Sequence, residues 1–374
     1  TTGRTRFLIV ASLFFSTLAT SAAGFEFHSG DRVAIVGGGL ADRMQHDGFL
    51  ETFLQNLYPD HELVFRNLGF TGDEVAHRMR SDGFGSPEEW LDRVEADVVL
   101  AFFGYNESYG GKAQLEKFTT DLADWIVSIT KPADGRAGRR LAIFSPMAFE
   151  QVDSHLLPKG DKHNVNLQLY TRAMRDVATQ HGVTFVDLFQ PTQKLFQTSD
   201  QRFTINGVHL NESGNRHVAE IIVRELVDPN FNSGPGDFRE LNEAVRDKNF
   251  YWFHRYRVTD GYSTYGGRRV TGGSEWTPTN EPVLKRELEV LDAMTANRDK
   301  RIWAQAQEKE EPVDDSNLPE LIPVATNKPG PLPGGEYPFL GAREAIGKMT
   351  VAKGMQVDLF ASEEQFPELK NPVQ

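Results

Sequence analysis

Four segments of the sequence, three directly after a predicted strand and the fourth just before the last predicted helix, combine glycine with polar side chains that could take part in catalysis. They are 37–43 (GGGLADR), 67–73 (NLGFTGD), 104–108 (GYNES) and 206–214 (NGVHLNESG). His209 is a candidate general base, because an imidazole titrates close to neutral pH. Asn106 could direct its side-chain amide at a developing oxyanion, and Gly72 would let a backbone N–H face a ligand. Each segment also fits a turn or a helix cap, so none defines a chemistry alone.

Other chemistries fit these segments less well. The glycine triplet lacks the G-x-G-x-x-G spacing and the lysine that a phosphate-binding loop needs. Thr71 and Ser108 are alternative hydroxyl nucleophiles, although each also suits a turn or a cap. Asp42, Glu107 and His209 have no spacing typical of metal ligands, so we predict no metal and no cofactor. The sequence contains no cysteine, which excludes thiol catalysis and thiolate metal sites within it.

The elements that must position these segments follow from the hydrophobic periodicity of residues 31–228. Short apolar runs predict five strands, at Arg32–Val36, Glu62–Asn67, Asp97–Phe103, Arg140–Ser145 and Val183–Leu188. The third run is uninterrupted, as is typical of a parallel strand that is buried on both faces. Helical stripes, such as those at 49–57 and 115–129, alternate with the strands. This alternation predicts a three-layer α/β/α sandwich with a five-stranded parallel sheet, in which sites lie at the carboxyl ends of the strands.

The composition changes after the sandwich. Residues 229–308 are rich in aromatic and charged side chains and include a predicted helix near 281–297, so we predict a mainly helical extension. The aromatic stretch 250–265 could form a wall on which a sugar stacks, or it could pack the extension onto the sandwich. Residues 309–339 are acidic and then rich in Pro and Gly, which is typical of a linker. Residues 340–374 are too few to fold alone, and we interpret them as the start of a further domain.

Residues 1–23 have the three parts of a signal peptide. Arg4 and Arg6 precede an apolar run, 7–19, which is followed by the small residues Ser21-Ala22-Ala23. An uncleaved membrane anchor is the alternative, although about 20 apolar residues are needed to span a bilayer. We therefore predict export to the periplasm or the cell exterior. The net charge of −13 argues against a nucleic-acid partner and against a polybasic membrane surface.

In their order along the chain, the four segments resemble the sequence blocks of the SGNH (GDSL-like) hydrolases, which are G-D-S-L, a glycine block, G-x-N-D and D-x-x-H. The likeness covers about residues 30–228, and we assign residues 24–228 to this domain. The resemblance implies a flavodoxin-like SGNH fold that hydrolyses an ester of a carbohydrate or another small molecule. It also implies that Gly72 and Asn106 line an oxyanion hole and that His209 is the catalytic base. Candidate substrate contacts are Asp42, Arg43, Thr71, Glu107 and Ser108.

Two positions depart from this family pattern. Gly39 stands where the nucleophilic serine would be, and Asn206 stands where an aspartate would orient the histidine. An asparagine can hold an imidazole but cannot stabilise an imidazolium with charge, and the same change in serine proteases costs about 10⁴ in rate. Two hypotheses therefore stay open. The domain is either a hydrolase or an inactive module that binds a carbohydrate or acyl group. The hydrolase would use an unconventional nucleophile or a water that His209 activates.

Most of the chain also resembles exported multidomain proteins of planctomycete-type bacteria, in which an SGNH-like domain precedes a β-propeller of the membrane-bound-dehydrogenase type. Residues 357–372 are similar to the start of that propeller. The resemblance implies that the parent chain continues covalently into a further domain.

Overall fold

The computed structural model describes residues 25–132, 137–234, 238–258, 261–270, 277–323 and 329–366. The chain divides into two compact units, Thr1–Leu321 and Ile322–Gln374. The predicted signal peptide lies outside the described residues, so export stays a prediction. Within the described ranges, no helix is both long enough and apolar enough to cross a membrane.

The described part of the first unit contains one sheet of five parallel strands. They are β1 (Arg32–Gly37), β2 (Val64–Asn67), β3 (Val98–Phe102), β4 (Arg140–Phe144) and β5 (Thr184–Val186). Their order is β2-β1-β3-β4-β5, which is the flavodoxin-like order. The predicted parallel sheet is confirmed, but β5 ends two residues earlier than predicted. It ends there because the N–H of Leu188 bonds to the side-chain oxygen of Ser145 instead of continuing the ladder with β4.

Helices cover both faces of the sheet and make the predicted three-layer sandwich. They are α1 (Gly39–Asp47), α2 (Phe49–Leu57), α3 (Pro87–Arg93), α4 (Gly111–Thr130), α5 (Asp161–His181), α6 (Phe189–Thr198) and α7 (Glu212–Leu226). Successive strand residues point to opposite faces. Val33 and Ile35 of β1 therefore pack with α1, α2 and α7, whereas Ala34 and Val36 pack with α3, α4 and α5.

The extension is mainly helical, as predicted, with α8 (Arg239–Tyr256), α9 (Gly261–Thr264) and α10 (Thr277–Ala306). It covers the strand β2 at the sheet edge. The side-chain N–H of Trp252 donates to the carbonyl of Asn67 at 2.7 Å, and that of Trp303 donates to the carbonyl of Leu63 at 2.9 Å. Trp252 and Tyr256 are buried against the core. No described residue of 250–265 lines the main cavity, so the hypothesis of a sugar-stacking wall is wrong, and the stretch packs the extension onto the sandwich.

The second unit has little regular structure in its described residues. It contains the short helix α11 (Ala342–Gly347) and several exposed apolar side chains, among them Phe339 and Phe360. That residues 340–374 begin a further domain stays a prediction.

Candidate functional site

A cavity of about 320 Å³ opens at the carboxyl ends of β1 and β3. The strand order reverses between these two strands, which is where ligands bind in open α/β sheets. The cavity brings all four predicted segments together. Its lining includes eight of the ten predicted site residues: Gly39, Arg43, Thr71, Gly72, Asn106, Glu107, Asn206 and His209.

The other two predicted residues, Asp42 and Ser108, do not line the cavity, against their prediction as substrate contacts. Asp42 is buried on α1, where its carboxylate pairs with Arg257 at 2.8 Å. Ser108 is fully buried, because it lies in a 3₁₀ turn that directs its hydroxyl at the carbonyl of Tyr105, 2.6 Å away. Spacing along the chain does not show whether the side chain of such a residue points into the protein or into the cavity.

Gly39 is the first residue of α1, at the cavity surface. The turn before it requires glycine, because Gly37 has a φ of +134° and a Cβ there would lie 2.1 Å from the carbonyl oxygen of Phe102. A Cβ added at Gly39 itself meets nothing within 4 Å. Position 39 therefore has space for a side chain at the cavity surface, although glycine supplies none.

The aliphatic hydroxyls at the cavity are engaged elsewhere. Thr71 donates its hydroxyl proton to the Asp42 carboxylate at 2.5 Å. Ser145 uses its oxygen to accept two backbone N–H bonds from the loop after β5. Both hydroxyl groups are thus held by hydrogen bonds within the protein.

The Asn206 side chain is hydrogen-bonded to the imidazole of His209. The Oδ1 of Asn206 accepts the backbone N–H groups of Val208 at 3.2 Å and of His209 at 2.9 Å. The side-chain nitrogen and Oδ1 of Asn206 lie 2.9 Å and 3.1 Å from Nδ1 of His209. Nδ1 accepts from the amide nitrogen in the tautomer that carries its proton on Nε2, and it donates to Oδ1 in the other tautomer. His209 therefore offers the cavity a hydrogen-bond donor in the first tautomer and a base in the second.

Gly72 and Asn106 occupy one wall of the cavity, as the oxyanion-hole prediction requires. Gly72 has a φ of +92°, a conformation that favours glycine. One N–H of the Asn106 amide donates to the carbonyl of Asp73 at 3.2 Å, which leaves the second N–H for a ligand. A Cβ at Gly38 would lie 3.2 Å from the amide nitrogen, so the glycine at that position makes room for it.

Glu107 ties two of the loops together. Its carboxylate accepts the N–H of Val75 at 2.9 Å and the N–H of Gly104 at 2.9 Å. Burial raises the pKa of Glu107 to about 7, although the bond from Val75 acts in the opposite direction. At pH values below 7 this carboxyl group is therefore mostly neutral and adds little negative charge to the cavity.

Two arginines hold the loop that carries Gly72, and we call them the arginine clamp. The guanidinium carbons of Arg257 and Arg80 lie 3.6 Å and 4.1 Å from the ring centroid of Phe70. Arg80 also binds both carboxylate oxygens of Asp73, at 2.8 Å and 2.7 Å. The clamp was not predicted from the sequence, because Arg257 is remote from this loop along the chain and no motif marks it.

We expect Arg257→Gln to loosen the Gly72 loop. The change removes the contact with Phe70 and leaves the buried Asp42 carboxylate without its charged partner, so we expect a loss of about 1–3 kcal/mol in unfolding free energy. Urea unfolding measures this loss. Hydrogen exchange measures the exchange rates of the amides in 69–73, which we expect to increase. Arg246→Gln, an exposed change on the same helix, is the control and should stay within about 0.5 kcal/mol. Unchanged exchange in 69–73 would show that the clamp does not hold the loop.

The comparisons with known proteins agree with this fold. Residues 36–217, just under half of the chain, match the model of the GDSL-like lipase/acylhydrolase family. This part of the chain is therefore similar to that family, and it contains every cavity residue named above. None of the curated proteins matches the chain in sequence.

Several solved structures are similar to the chain at low identity. An acetylxylan esterase from Geobacillus stearothermophilus is 16% identical, with a TM-score of 0.41 over 56% of this chain and 98% of its own. The acetyl xylan esterase AlAXEase is 18% identical, with a TM-score of 0.39 over 51% of this chain and 97% of its own. A gut microbial diltiazem-metabolizing enzyme is 17% identical, with a TM-score of 0.43 over 54% of this chain and 48% of its own.

Proposed function

We propose that the cavity binds, without cleaving it, the carboxylate or acyl group of a small molecule or carbohydrate. The observation that carries this proposal is Gly39, which leaves the nucleophile position open but without a hydroxyl. The cavity retains the groups that bind an oxyanion and lacks the group that attacks a carbonyl.

Several polar groups at the cavity can donate a hydrogen bond to a ligand. Asn106 keeps one free amide N–H, and His209 presents Nε2–H when its Nδ1 accepts from the Asn206 amide. The N–H groups in the first turn of α1, from Gly39 onward, have no partner within the helix. A carboxylate accepts hydrogen bonds only, so it matches this set better than an alcohol or an amine does.

The charges around the cavity also favour an anion. Arg43 lines the cavity with an exposed guanidinium, and no carboxylate in the described part of the chain pairs with it. The carboxylates of Asp42 and Asp73 are neutralised by the arginine clamp. Burial, followed by the charge of Arg43, lowers the pKa of His209, so at neutral pH the imidazole acts as a neutral donor.

Calorimetric titration with acetate and with its neutral analogue acetamide tests this function. We expect acetate to bind more tightly than acetamide, and Arg43→Gln to weaken acetate about fivefold, as for a partly exposed charge contact. Binding should also weaken from pH 6 to pH 8, because Glu107 becomes negative as the pH rises through about 7. Arg172→Gln, an exposed change on α5, is the matched control. Equal affinity for acetate and acetamide would contradict a preference for carboxylates, and failure of both to bind would contradict the proposal.

A second candidate is hydrolysis of an ester by a water molecule. The family match and the presence of His209 in the cavity favour it, since a histidine is the usual base in such a site. It requires the tautomer in which Nδ1 of His209 donates to Oδ1 of Asn206, because only an unprotonated Nε2 can accept a proton from water. Turnover of an ester by the unmodified protein distinguishes the two functions.

A further inference from the structure

A second cavity, of about 480 Å³, adjoins the first. The two cavities share Asn106, Glu107 and Tyr109 in their linings. A ligand that extends out of the first cavity therefore enters the second. The proposed function makes no use of this second space.

Tyr109 lies between the two cavities with 66% of its surface exposed. Its ring stacks on His163, with 4.2 Å between centroids and 29° between planes. Tyr105 meets the ring edge-on at 6.1 Å. These contacts immobilise the ring while much of its surface stays open to solvent. Such a ring is preorganised for stacking, because little side-chain freedom is lost when a ligand covers it.

The lining of the second cavity combines apolar and polar side chains. Among the polar ones, Glu74 supplies hydrogen-bond acceptors, Gln114 supplies both donors and acceptors, and Lys117 pairs with Asp121 along α4. A sugar ring has a C–H face that stacks on an aromatic ring and a rim of hydroxyls that donate and accept. A fatty acyl chain would offer no hydrogen bonds to Glu74 or Gln114.

We propose that the second cavity is a subsite for a sugar ring, which stacks on Tyr109 while its carboxylate or acyl substituent occupies the first cavity. This proposal rests on the proposed function and narrows its ligand to a carbohydrate that carries such a group. The ring lies across the shared wall, and its hydroxyls bond to the polar side chains of the second cavity.

Three probes separate the two sites: glucuronate, which joins a sugar ring to a carboxylate, acetate, which has only the carboxylate, and glucose, which has only the ring. We expect glucuronate to bind the unmodified protein roughly tenfold more tightly than acetate, with glucose the weakest. Tyr109→Ala should remove most of the preference for glucuronate, whereas Tyr109→Phe keeps the ring and the preference. Tyr337→Ala changes a tyrosine of equal exposure outside both cavities and serves as the control.

Proton NMR gives a readout that a loss of stability would not produce. Sugar C–H protons that lie over Tyr109 should shift upfield on binding, and the shift should vanish in Tyr109→Ala and persist in Tyr109→Phe. If acetate binds but glucuronate binds no more tightly, or if Tyr109→Ala keeps the preference, the sugar subsite is wrong and the proposed function stands. If neither acetate nor glucuronate binds, both proposals are overturned.

Discussion

Replacing Gly39 with serine and Asn206 with aspartate is expected to raise the esterase activity of the protein above that of the unmodified chain. The added Cβ meets nothing within 4 Å, so the serine fits without displacing a neighbour. An aspartate at position 206 has only acceptors, which places the His209 proton on Nδ1 and frees Nε2 to take the proton of the new serine. Hydrolysis of p-nitrophenyl acetate measures the gain.

The single variants indicate which of the two changes limits the rate. Gly39→Ser alone should be slow, and the double variant should exceed it by up to about 10⁴, the factor that an aspartate in this position contributes in serine proteases. Gly39→Ala combined with Asn206→Asp adds the Cβ without the hydroxyl and should stay at background.

Activity in the unmodified protein would contradict the binding proposal. If that activity disappeared in His209→Ala, a water activated by His209 would be the nucleophile. If instead it disappeared in Thr71→Val, the Thr71–Asp42 pair would have to be reconsidered as a nucleophile and its base. Either result would make the domain a hydrolase with an unconventional mechanism.

Lys248→Met is expected to destabilise the protein by about 3–5 kcal/mol, because it leaves a buried carboxylate without its partner. Lys248 is fully buried, with its ammonium 2.8 Å from a carboxylate oxygen of Glu51 and 2.7 Å from the side-chain oxygen of Asn249. Burial already raises the pKa of Glu51, and the Lys248 charge opposes that rise. Urea unfolding measures the loss.

The pH dependence of this loss follows from the raised pKa of Glu51. Without Lys248 the folded protein keeps a proton on Glu51 at pH values where the unfolded chain has released it. Stability then falls as the pH rises above the unfolded pKa of Glu51, so the loss should be larger at pH 8 than at pH 5. Adding Glu51→Gln removes the charge and should recover much of the stability.

Lys285→Met is the matched control, since Lys285 forms an exposed pair with Glu281 on α10. It should cost less than about 1 kcal/mol. An equally small loss for Lys248→Met would show that the Lys248–Glu51 pair does not hold α8 against the sandwich. A large loss would show that the extension is an integral part of the folded unit. The buried pair of Arg66 with Asp299 of α10 also joins the extension to the sandwich.

The sequence by itself determined the sheet and the place of the site. Apolar runs and helical stripes indicated five strands with helices between them. A strand that is buried on both faces is an unbroken apolar run, and a helix that is buried on one face has apolar residues at helical spacing. The carboxyl ends of parallel strands meet at one sheet edge, so the segments holding Gly39, Gly72 and Asn106, which follow β1, β2 and β3, had to converge there. The departures at Gly39 and Asn206 from the family pattern were also visible in the sequence, because each concerns the residue type at a single position.

Only the tertiary structure decided what these residues can do. Nδ1 of His209 lies within hydrogen-bond distance of both ends of the Asn206 amide, and two backbone N–H groups hold the oxygen of that amide. Arg257 reaches the Gly72 loop from an extension that is distant along the chain, and Tyr109 becomes a platform only because His163 supports it. Each of these contacts depends on how the chain folds, which periodicity and spacing along the sequence do not reveal. The sequence therefore located the site, and the packing set its chemistry.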